Sequence, residues 1–490
     1  MRDRRPFGDF KRIPFSMSFS YRTAIHWFRR DLRLSDNTAL WNASRLSETV
    51  VPTFILSEWR GDHHWTGPGR QQFLCDCLAS LANNLEAIGS RLIIRQGKAI
   101  AALETLIKES KAEAVFFNRD PDPFGRETEK KVQELCRSLG IECHSYKDVV
   151  IHEPDEVLNG SGNPYRVYTP YSKNWFDQPK PEVLGRPKQI STPSEISSLP
   201  LPSLKTWGIT LDSSLTMISA GERAARERLA TALSGPLLHY AVKRNDPAAD
   251  SSSMLGADLR YGTISPRTVF HRAQKVADEV ETAEQRKSLH TFLKQLAWRE
   301  FYMAILGHYP EVLDEEFNPQ WRHLQWDAPE KDDAFDRWRE GRTGFPIVDA
   351  GMRQLLATGY MHNRVRMITA MFLTKDLHLD WRLGESHFMR HLIDGEIANN
   401  NGGWQWSAGT GADAAPYFRI QNPWTQTGRY DSNGDYIKRW VPELAKTDPK
   451  RFQAPPEPLD PLADDYPLPM VDHRTERDRT LEIFKVHKDS

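Results

Sequence analysis

The chain has 490 residues, with 65 Lys and Arg against 66 Asp and Glu, a formal net charge of -1, and a hydrophobic fraction of 39%. That length exceeds one typical core and predicts two domains with connecting segments, while the neutral total excludes a globally basic chain and confines any nucleic-acid footprint to a local patch. Four cysteines, Cys75, Cys77, Cys136 and Cys143, fall in the first third without the paired spacing of a zinc site, so a reduced intracellular chain without metal is expected rather than a disulfide scaffold.

The N-terminal MRDRRPFGDFKRIPFSMSFS carries basic residues but no continuous apolar region, and residues 1–22 are expected to form a disordered leader. From Thr23, strand-like runs (TAIHWF, VVPTFIL, SRLIIRQG, AEAVFFN, IECHSYK) alternate with helical stretches such as QQFLCDCLASLANNLEAIG and RETEKKVQELCRSLG. The alternation predicts an α/β domain over 23–150, a Rossmann-like parallel sheet covered on both faces. No GxGxxG follows the first strand, so the ordinary dinucleotide fingerprint is missing. Residues 151–214 are rich in Pro, Ser, Gly and Asn and read as a long connector. The helical period then holds over 215–450, predicting an all-helical domain, and a proline-rich tail that turns briefly helical closes the chain over 451–490. No apolar run approaches membrane-spanning length.

The 15 tryptophans cluster mainly in the second half. In ANNNGGWQWSAGTGADAAPYFRIQNP the Asn and Gly run reads as a helix C-terminus, with Trp404 and Trp406 packing beneath it. The serines of DSSSMLGADLRYG precede a helical segment, which suits either an ordinary N-cap or a phosphate held by hydroxyls and free backbone N–H groups. In MHNRVRMI, helical spacing puts Asn363, Arg366 and Met367 on one face, where a buried arginine needs an acid partner. In QLAWREFY, Gln295, Trp298, Arg299 and Tyr302 share a face, a pattern equally compatible with an amphipathic core helix.

Three segments, HWFRRDLRLSDNTAL, MHNRVRMITAMFLTKDLHLDWRLGESHFMRHLIDGEIANNNGGWQW and APYFRIQNPWTQTGRYDSNGDYIKRWVPEL, together resemble the DNA photolyase and cryptochrome family, nearest to class I-type cyclobutane pyrimidine dimer photolyases. The likeness runs from Thr23 to YPLPMVDHRTERDR. It implies an α/β antenna domain, an interdomain loop, and a helical domain that holds FAD in a folded conformation and binds DNA, with the tail packed on it. On the cofactor it implies Ser252 and Ser253 at the pyrophosphate, followed by Met254, Leu255 and Gly256, the last standing where the family carries serine, and Tyr240 as a phosphate contact. Asn363, Arg366 paired with Asp394, and Glu396 fall at further flavin positions. Asn400 falls opposite flavin N5, where an amide pairs with the ring without placing a negative charge beside the reduced flavin. Trp404, Trp381 and Trp326 match the family's electron-transfer chain from flavin to solvent. Gln295, Trp298, Asn363, Met367 and Trp406 match the substrate cavity, and Arg244, Arg364 and Arg419 are expected on the phosphate side of its mouth.

The implied function is light-driven repair of pyrimidine dimers in UV-damaged DNA: excited FADH⁻ donates an electron to a flipped-out lesion, the ring splits, and the electron returns. A cytoplasmic monomer without nucleophile or metal is expected. The alternatives are a cryptochrome-type photoreceptor, a (6-4) photolyase, or an unrelated flavin electron-transfer protein, the last leaving the helical-domain match unexplained. An iron-sulfur subgroup is disfavoured because the helical half has no cysteine. Gln295 stands where many class I enzymes have Glu and (6-4) enzymes commonly have Gln, yet MHNRVRMITA follows the cyclobutane-dimer pattern. For a second, antenna chromophore of deazaflavin or folate type, Phe124 and Gly125 replace the Asn-Glu pair of pterin-binding enzymes and Asp314 replaces their lysine, so FFNRDPDPFGRETEKKV looks more like deazaflavin-binding relatives.

Overall fold

The computed structural model describes residues 19–57, 65–249, 251–329 and 333–489. Strands β1 (Tyr21–Phe28), β2 (Ser47–Leu56), β3 (Ile93–Gln96), β4 (Ala114–Asn118) and β5 (Glu142–Tyr146) form one parallel sheet in the order β3-β2-β1-β4-β5. The crossovers pass through α1 (Thr38–Leu46), α2 (Pro68–Glu86), α3 (Ala99–Ser110) and α4 (Pro123–Leu139). Helices cover both faces, which is why β1 is buried without a break from Thr23 to Phe28 rather than at alternate positions. Its Ala24 and Phe28 pack with Leu78 and Leu81 of α2, while Ile25 and Trp27 pack on the opposite face with Leu103 and Val132. The predicted α/β layer is therefore present. Of the leader expected over 1–22, residues 1–18 lie outside the described residues, and Tyr21 and Arg22 already belong to β1.

The segment read as an aperiodic connector contains a helix, α5 (Tyr168–Asp177), held by buried Tyr168, Tyr171 and Trp175. The helical half continues through α6 (Glu222–Ser234), α7 (Tyr240–Lys243), α8 (Gly256–Tyr261), α9 (Pro266–Glu279) and α10 (Ala283–His308), then α11 (Ala334–Arg339), α12 (Pro346–Thr358) and α13 (Asn363–Met371). It ends with α14 (Trp381–His391), α15 (Ile397–Ala408), α16 (Pro423–Tyr430), α17 (Asp435–Trp440) and the C-terminal α18 (His473–Asp489). One apolar cluster gathers around α10, with Leu293 and Phe301 at its centre, and a second around α12 to α15, with Ile347, Phe372 and Trp404. Between α13 and α14 the chain makes a π-helical turn, Phe372–Asp376. There Lys375 Nζ donates to the Ala408 carbonyl at 2.6 Å, satisfying the C-terminus of α15, while α18 docks through His473 on Asp376 at 2.5 Å and Thr480 Oγ1 on the Lys375 carbonyl.

The two halves are joined by buried charge. Asp148, just after β5, accepts from Arg33 at 2.6 Å and from Arg267 of α9 at 2.8 Å. Arg267 also meets Asp36 at 3.1 Å, and Asp36 takes the Ser265 hydroxyl that caps α9. All four charged side chains are buried. Burial alone would raise the Asp148 carboxyl, but Arg33 and Arg267 outweigh it and hold it below the usual carboxylate range. A folded value below the unfolded one means that this stabilisation is present above the unfolded carboxylate pKa and is lost as pH falls through the folded value. Asp148→Asn leaves two buried arginines short of a counter-charge and is expected to cost about 3 kcal/mol of unfolding free energy, read by urea denaturation at neutral pH. A variant as stable as the parent would remove the cluster from its role as the interdomain tie.

Candidate active site

A cavity of about 540 Å³ opens between the two apolar clusters of the helical half. One wall is α10, which turns Gln295, Trp298, Arg299 and Tyr302 toward it at i, i+3, i+4 and i+7. The opposite wall is α13, which contributes Asn363, Arg364, Arg366 and Met367 from its first two turns. The floor is α15 with Asn400, Trp404 and Trp406, preceded by Asp394 and Glu396. Tyr240, Arg244, Gly256 and Arg260 close the remaining side. Two helical faces more than 60 residues of chain apart thus converge on one space.

The Asn-Gly run does not end a helix. Residues 399–403 lie inside α15, whose C-cap is Gly409 at φ 82°. The interior asparagines are tied outward rather than capping: Asn399 Nδ2 donates to Glu396 at 2.8 Å and to the Arg299 carbonyl, and Asn401 Nδ2 to the Val312 carbonyl at 2.9 Å. Asn400 donates to the Glu385 carbonyl at 3.0 Å, and its amide oxygen has no protein partner among the described residues. The glycines are steric. A Cβ on Gly402 would overlap the Tyr302 ring, and one on Gly384 of α14 would overlap the Trp404 indole, so both let helices approach where a methyl could not.

Arg366 Nη2 donates to Asp394 Oδ2 at 2.8 Å, leaving Asp394 Oδ1 without a partner at the cavity. A Cβ side chain on Gly256 meets Asp394 within 2.7 Å even before a serine hydroxyl is added, so the glycine in place of the family's serine accommodates this carboxylate. Glu396 caps α15 by accepting from Asn399 N at 3.0 Å and reaches Arg30 of the α/β half at 3.3 Å. Burial would raise Glu396, but Arg30 and the Asn399 side chain outweigh it and keep the carboxylate ionised. Arg260 is pushed down to about 10 by burial, then by Arg30 and Arg70, and stays cationic at neutral pH. Five arginines face two carboxylates around the cavity, so its field is positive and suits a phosphorylated ligand.

Trp404 is 2% exposed, edge-on to Phe388 at 5.0 Å and to Trp338 at 6.0 Å, and its Nε1 has no partner among the described residues. Trp381, one helical turn before Gly384, is buried and donates Nε1 to Glu316 at 3.1 Å. Trp326 is partly exposed and packs against both the cluster that holds these two indoles and the Trp321–Phe484 cluster on α18. The three indoles therefore step from sealed to partly exposed. Ser252, Ser253, Met254 and Leu255 do not line the cavity: Leu255 is the N-cap of the six-residue α8, and Met254 sits at φ 52°. Arg419 is exposed and also outside the lining. Asp122 caps α4 by accepting from Gly125 N at 2.6 Å and Phe124 is exposed, while the Asp314 carbonyl holds Arg382.

Sequence reasoning missed Tyr168, Arg30, Arg260 and Glu385. Tyr168 stacks on Trp298 at 3.6 Å between centroids and 8° between planes. No pairing signal in the chain connects a connector tyrosine to α10. Glu385 is buried beneath Asn400, and burial, partly opposed by the Asn401 side chain, pushes its carboxyl up to about 8.

A family model for DNA photolyase matches residues 24–189, and one for the FAD binding domain of DNA photolyase matches residues 292–486. The deoxyribodipyrimidine photo-lyase of Synechococcus sp. is 39% identical over 469 residues, covering 94% of this chain and 96% of the relative. The chain belongs to the DNA photolyase and cryptochrome family. The photo-lyase of Agrobacterium fabrum is 38% identical over 488 residues, covering 96% of this chain and 99% of that relative. Among solved structures, a bacterial class III photolyase from Agrobacterium tumefaciens superposes with TM-score 0.88 at 36% identity, covering 98% of this chain and 100% of that one. A photolyase from Sulfolobus tokodaii, described with two FAD molecules and a novel light-harvesting cofactor, does so with TM-score 0.81 at 30% identity, covering 95% of this chain and 100% of that one. Membership brings photo-lyase activity, a carbon-carbon lyase reaction in DNA repair, with FAD as cofactor. The cavity's residues fit that group: the unpartnered Asp394 Oδ1 and Trp404 Nε1, the Arg366 ion pair and the positive field answer to a polar ring carrying a pyrophosphate. Among the described residues, no helix is long and apolar enough to cross a membrane.

Gly384→Ala is expected to displace the Trp404 indole and cost about 1–3 kcal/mol by overpacking, with a matching loss of bound FAD on purification. Unchanged stability and flavin content would show that α14 yields instead. For Glu385, a folded value near 8 above an unfolded one near 4.5 means that the folded state holds the extra proton between these limits, so this group lowers stability as pH rises across them. Glu385→Gln, which keeps the shape of the protonated acid, should flatten the fall in melting temperature between pH 5 and pH 8. An identical pH profile in parent and variant would refute it.

Proposed function

We propose that the chain repairs cyclobutane pyrimidine dimers, with the 23–150 unit as antenna domain, the 215–450 unit as FAD- and DNA-binding domain, and the cavity as the place that receives the flipped lesion. The observation that carries this reading is the Trp298–Tyr168 stack at the cavity wall: one indole face is already covered, so the other is a fixed platform for two linked neighbouring pyrimidines taken out of the helix. When bound and reduced, FAD supplies a light-excited one-electron donor. The protein's residues do the rest. Trp298 and Trp406 sandwich the apolar ring edges, and Met367 fills between them. Gln295 offers both an N–H and a carbonyl to the base edge, and Asn363 a second amide. Arg244 and Arg364, the latter anchored on Asn245 at 2.8 Å and over the Tyr430 ring, bind the lesion's flanking phosphates. Asn400 presents an uncharged amide to the cofactor ring, and the Arg366–Asp394 pair places fixed charge beside it. Trp404, Trp381 and Trp326 carry a hole outward toward solvent.

Repair of (6-4) products requires a proton donor at the lesion, for which histidine is the suited residue. None of the described residues lining the cavity is a histidine, which favours the cyclobutane dimer. Illuminating the reduced enzyme with separately prepared cyclobutane-dimer and (6-4) DNA tests the choice, with repair of the first alone expected. Repair of (6-4) DNA alone would overturn the assignment, and repair of neither would favour a photoreceptor. Trp404→Phe is expected to lower photoreduction of the bound oxidised flavin at least tenfold while chemically reduced enzyme still repairs dimers, as followed by flavin absorbance and by dimer loss. Equal photoreduction in parent and variant would remove Trp404 from the path.

A further inference from the structure

Trp404 borders two other buried indoles, and only one of them is bonded to a charge. Trp338 of α11 meets it edge-on at 6.0 Å and donates its Nε1 to the uncharged Thr369 carbonyl at 3.1 Å. The further ring neighbours of Trp338 are Phe335, His387 and Phe388, none of them an indole. Trp381 and Gly384 share a face of α14 at i and i+3, and Gly384 takes the six-membered ring of Trp404 against the helix backbone. The Trp381 Nε1 donates to Glu316 Oε1 at 3.1 Å, and the same oxygen accepts from Arg382 Nη1 at 3.2 Å. Glu316 is buried, and its segment is laced to α15 through Gln405: Phe317 N donates to Gln405 Oε1 at 2.8 Å, and Gln405 Nε2 to the Glu315 carbonyl at 3.1 Å. Gln405 follows Trp404 in the chain, so α15 presents the first indole and fixes the acid that meets the second. Arg382 lies over the Trp381 ring at 4.5 Å and is also bound by Asp380 at 3.2 Å. Two carboxylates thus face one guanidinium around Trp381, whereas the Trp404 Nε1 has no partner among the described residues.

We propose that Glu316 directs the hole from Trp404 to Trp381 rather than to Trp338, as a positioning residue acting through the Trp381 N–H; this rests on the reading of Trp404, Trp381 and Trp326 as the hole path. Once Trp404 has lost an electron, one electron passes to it from the Trp381 indole. Trp404 is restored, Trp381 becomes the radical cation, and no bond breaks, because the proton stays on Nε1 against Glu316. An indole radical cation is a far stronger N–H donor than the neutral ring, so its bond to a buried carboxylate tightens on oxidation more than a bond to a carbonyl does. The guanidinium of Arg382 over the ring opposes a hole there, and Glu316 offsets it from the buried side. Trp338 has no such acid on its N–H and no further indole beyond it, so a hole placed there can only return.

Glu316→Gln keeps an acceptor for the indole and removes the charge, while Arg382 stays bound to Asp380. In the FAD-loaded protein, flash absorption should show the tryptophan radical signal decaying faster than in the parent. The yield of lasting flavin photoreduction should fall about fivefold, the worth of a charge-assisted hydrogen bond over a neutral one. Glu316→Asp, which keeps the charge, should recover most of that yield. In the dark, the Trp381 indole N–H proton resonance, identified by its loss in Trp381→Phe, should move upfield in Glu316→Gln, a readout that needs no photochemistry. Trp338→Phe, compared at parental flavin content, should leave the yield unchanged. A parental yield in Glu316→Gln, with photoreduction lost in Trp381→Phe, would overturn the role of Glu316 and leave the indole path standing. Undiminished photoreduction in Trp381→Phe would remove the path and this proposal with it. A fall in yield in Trp338→Phe would also overturn it, and that variant decides even where Glu316→Gln does not fold.

Discussion

Buried charge that must be paired fixes how the two halves meet. Asp36 and Asp148 on the α/β side face Arg33 from their own half and Arg267 from the helical half, out of water, where an unmatched member costs several kcal/mol. Few relative placements satisfy all four at once. A second line of pairs runs from the same loop: Arg30 binds Asp120 at 2.8 Å within the α/β half and Glu396 across the boundary. Glu396 is the N-cap of α15, so the sheet's first loop sets the position of the helix that carries Asn400, Trp404 and Trp406. A domain holding no part of the cavity wall therefore governs the cavity's floor.

From α15 the constraint passes on through contacts that tolerate no extra atoms. Gly402 lets α15 lie on the Tyr302 ring of α10, and Gly384 lets α14 lie on Trp404. Lys375 holds the far end of α15 by the Ala408 carbonyl, and burial brings its ammonium down to about 7. That ammonium lies over the Phe484 ring of the C-terminal helix at 3.8 Å. The helix bearing the site is thus fixed at its start by an acid from the boundary, in its middle by glycine contacts, and at its end by a lysine.

Much of this could be read from the chain. Periodicity gave the parallel sheet because both of its faces are buried, and the i, i+3, i+4 spacing correctly grouped Gln295, Trp298, Arg299 and Tyr302 on one face and Asn363, Arg366 and Met367 on another. Local propensity failed where tertiary contacts outweighed it. Asparagine and glycine favour helix ends, yet Asn399 to Gly403 are helical because the asparagine amides are satisfied by Glu396, Glu385 and Val312 and a side chain on Gly402 would overlap Tyr302. The serines before α8, which suit either an N-cap or a phosphate cradle, do not line the cavity, and the cap of α8 is Leu255 instead. Partners far apart in the chain, such as Arg30 with Glu396, leave no trace in local pattern at all.

The stack of Tyr168 on Trp298 has a consequence for which changes in chain length the protein can absorb. Tyr168 is anchored by its hydroxyl to the Lys294 carbonyl at 2.9 Å, and α5 is pinned nearby by the Trp175 Nε1 bond to Glu300 at 2.6 Å. Downstream, residues 179–203 form no helix or strand, yet Ile190 and Ile196 are buried in the sheet's two apolar clusters and Ser191 and Leu199 bond to the backbone of β2 and β3. One residue gained or lost between Tyr168 and Trp175 rotates the tyrosine about 100° around its helix and strips the indole of its backing. The connector is in this sense held to a fixed count twice, once by a ring it never touches in sequence and once by the sheet it is laced against.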